Sequence, residues 1–287
     1  MVNQRALMTL IEERTLFRLS LAELYVQGEI DDLFKRAIAH YFSWSATKIG
    51  LEPHYTLSAK EANVLQQLLK ELQTGQPLQY CLGSTTFMGM HFNVSPAVLI
   101  PRPETEELVE WILASEQTNC LTAWDLCTGS GCIALGLKAH RPAWHLTGFD
   151  VSNQALEVAK DHAEKHQISV GFYPKDVLHW DSSSEKCDLI VANPPYVLPS
   201  EKKNMHCNVL DFEPELALFV PQEDPLVFYR EILKIGKKDL SKSGVIYFEI
   251  NSLLSDDLIN MGNKIGFAKA SIKKDIFGKK RFVKFSQ

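Results

Sequence analysis

The 287-residue sequence has no excess of positive charge: 30 Lys and Arg stand against 35 Asp and Glu, a net charge of −5. A protein that holds nucleic acid through its phosphates carries a basic excess, so this balance speaks against direct nucleic-acid binding. None of the six cysteines (Cys81, Cys120, Cys127, Cys132, Cys187 and Cys207) belongs to a CxxC pair. No histidine set completes a zinc site either, so no metal is expected, and reduced thiols in a cytoplasmic protein are the simpler reading. No apolar run reaches the ~18 residues that span a bilayer. Met1 to Leu10 shows no apolar core or cleavage site of a signal peptide. The nine histidines show no triad or ligand spacing, and neither an internal repeat nor a low-complexity segment is present. What remains is ordinary for a globular protein: 45% apolar and 23% charged residues, in a chain long enough for one large domain or two smaller ones.

The first 76 residues read as helical. Ala6, Leu7, Leu10 and Ile11 keep a helical period, as do Leu21, Leu24 and Tyr25. Asp31 is placed to cap a helix through Leu33, Phe34, Ala37, Ile38 and Tyr41. Ser58 with Glu61 fits a capping box ahead of Val64, Leu65, Leu68, Leu69 and Leu72, and Gly75 and Pro77 end that helix. From 77 to 99 the texture changes. Gly83, Gly89 and Pro96 punctuate short runs with Phe87, Phe92 and Val94, which predicts a β-hairpin connector. Residues 100–287 form the third region. Pro101 and Pro103 precede a helix from Glu104 through Ile112, and from Leu121 strand and helix alternate. Strands are expected at 121–126, 145–150, 170–173, 187–192 and 245–250. Helices are expected at 132–140, 153–165, 225–240 and 253–265, and two late strands, at 268–273 and 281–285, form a hairpin around Gly278. The pattern predicts an α/β fold with a seven-stranded, mostly parallel sheet covered on both faces. The late cations Lys273, Lys274, Lys279, Lys280 and Arg281 read as a solvated strand pair.

Cys127-Thr128-Gly129-Ser130-Gly131 follows the first strand of this sheet, where an open α/β sheet binds its ligand. Glycines let backbone approach a ligand, and the helix N-terminus behind them suits negative charge. The next strand ends in Asp150, where a carboxylate can accept from both hydroxyls of a ribose. Asp176 after the third strand is placed to read an adenine amino group, with Val177 against the ring. Each aspartate alone is equally a turn or helix cap; the ordered triple points to an adenosyl ligand. The loop is not a full GxGxxG, because Cys132 follows Gly131 and the next glycine is Gly136, which disfavours NAD.

Asn193-Pro194-Pro195-Tyr196 follows the buried strand Asp188–Ala192 directly. The two prolines remove backbone donors and restrict the loop. An amide or aromatic amine nitrogen is a poor nucleophile because its lone pair is delocalised. The Asn193 side-chain oxygen and the Pro194 carbonyl can accept its two N–H bonds, orienting it and favouring charge that develops on it. Tyr196 can pack on the planar group, and Asn193 also borders the cofactor loop. This predicts methylation of a planar nitrogen with S-adenosyl-L-methionine as donor, a reaction in which positioning replaces a strong general base.

Further motifs carry a family resemblance. Pro77-Leu78-Gln79-Tyr80-Cys81-Leu82-Gly83, Phe92-Asn93-Val94-Ser95-Pro96 and Leu99-Ile100-Pro101-Arg102-Pro103-Glu104-Thr105-Glu106 precede the glycine loop. Phe212-Glu213-Pro214 and Asp275, Gly278 and Arg281 follow the Asn-Pro-Pro-Tyr loop. In this order, over most of the chain, they resemble the bacterial peptide chain release factor N5-glutamine methyltransferases. Cys127 differs from the glycine many members carry. The resemblance implies a Rossmann-like S-adenosylmethionine methyltransferase domain and an N-terminal helical bundle that helps hold a release factor. It implies that the acceptor is the glutamine of a Gly-Gly-Gln tripeptide, methylated in support of translation termination. Asn-Pro-Pro-Tyr alone is shared with adenine methyltransferases acting on DNA or RNA, which leaves that activity as the alternative. Arg102, Glu104 and Thr105 either close over cofactor or substrate or simply start a helix, with proline and acids in its first turn. Glu213 either shapes the substrate mouth or caps a loop.

Overall fold

A computed structural model describes residues 8–181 and 185–287. The chain forms two compact units, the first running to Gly83 and including His206–Phe212, the second comprising Ser84–Met205 and Glu213–Gln287.

In the first unit, α1 (Leu10–Leu21) starts after Thr9, whose N–H and hydroxyl both donate to the Glu12 carboxylate at 2.7 and 2.8 Å. Ala6 and Leu7 of the expected helix lie outside the described residues. The helical period does not extend to Leu24 and Tyr25, whose N–H groups instead close a turn onto the Leu21 carbonyl. Nor is Asp31 a cap, because α2 (Gln27–Phe42) begins ahead of it. Its carboxylate instead accepts from Arg14 and Arg18 of α1 at 2.6–2.9 Å. Those bonds hold it far below the usual carboxylate range. The unit continues with α3 (Ala46–Leu51), α4 (Ala59–Gln73) and a short α5 (Leu78–Leu82) that the sequence pattern did not predict. At the start of α4 the capping box forms as expected: Glu61 accepts from the Ser58 N–H at 2.8 Å and Ser58 Oγ from the Glu61 N–H at 3.3 Å. Phe17, Phe34, Leu65, Leu68 and Leu72 are fully buried at its centre.

The second unit opens with an antiparallel hairpin, β1 (Ser84–Phe87) and β2 (Met90–Asn93), then α6 (Pro103–Ser115). Next come β3 (Thr122–Leu126), α7 (Cys132–His140), β4 (His145–Asp150), α8 (Asn153–His166), β5 (Gly171–Pro174) and β6 (Cys187–Ala192). One turn of helix, α9 (Cys207–Leu210), belongs to the first unit, where His206 stacks on Tyr25 at 5.5 Å. The second unit resumes with α10 (Glu215–Leu218), α11 (Val227–Asp239), β7 (Leu240–Glu249), α12 (Ser255–Ile265), β8 (Lys269–Lys274) and β9 (Lys280–Ser286).

The expected seven-stranded sheet is present, in the order β5-β4-β3-β6-β7-β9-β8. The first five strands run parallel; β9 is antiparallel to both β7 and β8. β7 starts five residues earlier than the apolar run from Val245 suggested. Leu240 already pairs with Cys187, and a register shift before Leu189 accommodates the polar Ser241–Gly244 stretch. Alternation along the strands feeds two cores. Leu189, Val191 and Tyr247 pack with α6, α7 and α8, whereas Ile190, Ala192 and Phe248 pack with α11 and α12. The order of connection reverses between β3 and β6, which opens a crevice at their carboxyl ends. No described helix is long and apolar enough to cross a membrane.

Candidate active site

Register places the site. Leu126 pairs with both Phe149 and Ala192, and Ala192 with Phe248. The next residues, Asp150, Cys127, Asn193 and Glu249, therefore leave four adjacent strands at one level. The first three of them border a cleft whose lining also includes Thr128, Gly129, Ser130, Asp176, Val177 and Pro195. Arg102 and Thr105 of the α6 start line it too.

The glycine loop is held in a left-handed path, with φ of 62° at Cys127, 53° at Gly129 and 78° at Gly131. Gly129 faces open space, so backbone is presented bare to the cleft. Gly131 does not line the cleft; it is a packing residue. A Cβ there would lie 2.9 Å from Phe172 Cζ and 3.0 Å from Ala159 Cβ. Asp150 braces the loop, accepting from the Gly129 N–H at 2.8 Å and the Ser152 N–H at 2.9 Å. Each carboxylate oxygen keeps lone pairs for a further donor. Burial raises its pKa against these backbone bonds. Below the loop lies the fully buried Asp125, which accepts from Thr128 Oγ1 at 2.5 Å and the Ala134 N–H at 3.2 Å. Burial pushes it up to about 7. Asp176 caps a single 3-10 turn, its two oxygens taking the Leu178 N–H at 2.9 Å and the His179 ring at 2.7 Å. The capping reading of Asp176 thus holds alongside its place on the cleft wall.

The Asn-Pro-Pro-Tyr loop divides its residues. Asn193 and Pro195 face the cleft; Pro194 is buried and is not among the lining residues. Tyr196 is likewise not among the lining residues. Its hydroxyl donates to Glu249 Oε1 at 3.0 Å, and its carbonyl accepts from Asn251 Nδ2 at 3.1 Å. Asn193 Nδ2 donates to Thr105 Oγ1 at 3.3 Å, and Thr105 Oγ1 donates to Glu249 Oε2 at 2.7 Å. Glu249 is buried, which raises its pKa; the two hydroxyl donors and the charge of Arg281 oppose that rise. Neither Glu249 nor Asn251 was picked out from the sequence. An acid inside the apolar run Val245–Ile250 is the signal that was there to be read, because lone acids are almost never buried.

Two other expected elements resolve. Glu213 is buried and accepts from the Ile100 N–H at 3.3 Å and from the Arg102 guanidinium, so it ties the Ile-Pro-Arg-Pro run to the cleft rim. Asp275 takes the Phe277 and Lys279 N–H groups and pairs with Arg281, closing the β8–β9 turn. Among the described residues, no group of three or more His, Cys, Asp or Glu is placed to hold a metal ion.

A glycine loop after β3, an aspartate at the end of β4 and an Asn-Pro-Pro-Tyr loop after β6, all at the switch point of this sheet, have the layout of a Rossmann-like methyltransferase. Solved structures agree on the fold. A methyltransferase from Pyrococcus furiosus superposes with a TM-score of 0.52 at 16% identity, over 69% of this chain and 89% of its own. A Thermus thermophilus 16S rRNA guanine methyltransferase gives 0.52 at 14% identity, over 71% and 49%. Two family models match: the methyltransferase small domain over residues 105–210 and the PrmC N-terminal domain over residues 15–83. A release factor glutamine methyltransferase of Flavobacterium psychrophilum is 38% identical, over 94% of this chain and 96% of the relative. One from Bacteroides thetaiotaomicron is 40% identical over 93% and 96%. The chain belongs to the release factor glutamine methyltransferase family and is an enzyme of that family.

Proposed function

We propose that this enzyme transfers a methyl group from S-adenosyl-L-methionine to the side-chain amide nitrogen of a glutamine, that of the Gly-Gly-Gln tripeptide of peptide chain release factors. The observation that carries the reading is the level row at the strand ends, which brings Asp150, the glycine loop and the Asn193 carboxamide to one cleft.

The residues suit that cofactor. Gly129 is bare toward the cleft, and Asp150 keeps acceptor capacity at the end of β4. Asp150 would hold the ribose, Asp176 and Val177 the adenine, and the turn Thr128–Ser130 with the α7 N-terminus the amino-acid end. S-adenosyl-L-methionine supplies an already activated methyl group when bound. The chain's own task is to aim the acceptor. Asn193 spends its amino edge on Thr105, so its oxygen is left to accept one N–H of the glutamine amide. The Pro194 carbonyl takes the other. Both acceptors favour positive charge building on that nitrogen. Tyr196, through Glu249, anchors the loop rather than stacking on the substrate.

The helical unit is proposed to help hold the release factor, and the six free cysteines fit a reducing, cytoplasmic location. Adenine methylation of nucleic acid is the weaker alternative, given the net charge of −5 and a helical unit that matches the PrmC N-terminal model. Asn193→Ala tests the reading. It should lower methyl transfer to a release factor by about a hundredfold or more, while calorimetry shows cofactor affinity within a few-fold of wild type. Normal turnover in that variant refutes it.

A further inference from the structure

Asn193 can accept from the substrate only if its carboxamide stands one way round, because the flipped group would present two N–H donors to another amide N–H. We propose that Thr105 and Glu249 are positioning residues that fix this orientation, in a proton-ordered relay running Asn193 Nδ2–H to Thr105 Oγ1–H to Glu249. The inference rests on the proposed glutamine reading and extends it to residues that need not touch the substrate amide.

The polarity of the relay follows from its far end. Ionised, as the two hydroxyl donors and the charge of Arg281 favour against its burial, Glu249 offers only acceptors, and each oxygen is occupied: Oε2 by the Thr105 hydroxyl at 2.7 Å, Oε1 by the Tyr196 hydroxyl at 3.0 Å. With its single proton committed to Glu249, Thr105 Oγ1 has only lone pairs left for Asn193. The Asn193 amino edge must therefore face Thr105, and it does, at 3.3 Å. Glu249 is itself locked. It is 1% exposed, its carbonyl accepts from Tyr229 Oη at 3.1 Å, and Arg281, bound to the Ile250 carbonyl, supplies a nearby positive charge. Thr105 lies in the first turn of α6, two residues after Pro103, with its N–H bonded to the Arg102 carbonyl at 3.0 Å, so backbone structure fixes where its hydroxyl starts. The strand register then sets Glu249 level with Asn193, across β6 and β7. A buried carboxylate that merely stabilised the fold would have no need to meet the reaction loop twice, through Thr105 and through Tyr196.

Thr105→Val keeps the shape and removes the relay; Thr105→Ser removes a methyl and keeps it. With a release factor as acceptor, Thr105→Val should lower kcat about tenfold or more, leaving cofactor affinity by calorimetry within about twofold, and Thr105→Ser should stay within about threefold of wild type. If Thr105→Val turns over normally, or Thr105→Ser is the more impaired of the two, Thr105 is a packing residue and the relay is refuted. A second measurement does not depend on turnover. In 15N-labelled protein, one Asn193 Nδ2 proton should be protected from exchange in wild type and Thr105→Ser, and unprotected in Thr105→Val. Equal exchange in all three also overturns the proposal. Wild-type enzyme that leaves the glutamine unmodified would reject the functional reading, and the exchange result alone would then decide the relay.

Discussion

Gly131 carries a double constraint, so Gly131→Ala gives a sharp test of how the cofactor loop is built. The residue has φ of 78°, and an added Cβ would meet Phe172 Cζ at 2.9 Å and Ala159 Cβ at 3.0 Å. Holding an alanine in the left-handed region costs about 1–2 kcal/mol. The Phe172 contact is closer than carbon atoms pack and the Ala159 contact is at that limit, and both residues, on β5 and α8, lie in the buried core, so neither yields freely. Overpacking of that kind adds about 1–3 kcal/mol. Together the variant should lose about 2–5 kcal/mol of unfolding free energy. Urea denaturation followed by far-UV circular dichroism reads this directly, with the slope unchanged if the transition stays two-state. Gly129→Ala makes the control: its φ is 53° but nothing lies within 4 Å, so it should cost only the conformational share, about 1–2 kcal/mol. Equal losses at the two positions would refute the packing argument, and a loss below about 1 kcal/mol at Gly131 would refute both parts.

Three further expectations follow from the same structure. Asp150→Ala removes the acceptor for the Gly129 N–H and the one proposed for the ribose hydroxyls, so cofactor affinity should fall by about a hundredfold; unchanged affinity by calorimetry rejects the assignment. Glu213→Ala leaves Arg102 and the Ile100 N–H without their buried acceptor and should cost about 3 kcal/mol in urea denaturation; a loss under about 1 kcal/mol would make Glu213 dispensable. His162 is buried neutral, donating Nδ1–H to the Ser130 carbonyl and accepting from the Asn93 N–H, both at 2.9 Å, and burial lowers its pKa. The unfolded chain then binds the extra proton first, so stability should fall as pH drops below the unfolded value of about 6.5. His162→Gln should flatten that slope in melts between neutral and mildly acid pH, and an unaltered slope would clear His162 of the effect.

The parallel sheet was legible because its strands are apolar runs ending in chemistry-bearing residues: Asp150 and Asn193 mark the ends of β4 and β6 in the bare sequence. The same runs announced the cleft, since residues at the carboxyl ends of adjacent strands meet. Local rules served where one segment decided the outcome, as with Ser58 and Glu61. They failed where a distant partner did. Asp31 looks like a cap until Arg14 and Arg18 arrive from another helix. Leu240 belongs to β7 only because Cys187 lies beside it. Thr105 and Glu249, 144 residues apart, have no sequence pattern that joins them; only strand register brings them to Asn193. Tyr196 next to two prolines suggests a stacking platform, and nothing in the sequence shows that its hydroxyl meets the buried carboxylate of Glu249.

The central claim, a glutamine amide as acceptor, meets its most direct test in transfer of labelled methyl from S-adenosyl-L-methionine with three acceptors in parallel. These are a release factor, the same factor with the glutamine of its Gly-Gly-Gln tripeptide replaced by alanine, and total RNA and DNA. The account predicts label on the intact factor alone, in the peptide that carries the tripeptide. Label on nucleic acid, or equal label on the factor lacking that glutamine, would contradict it.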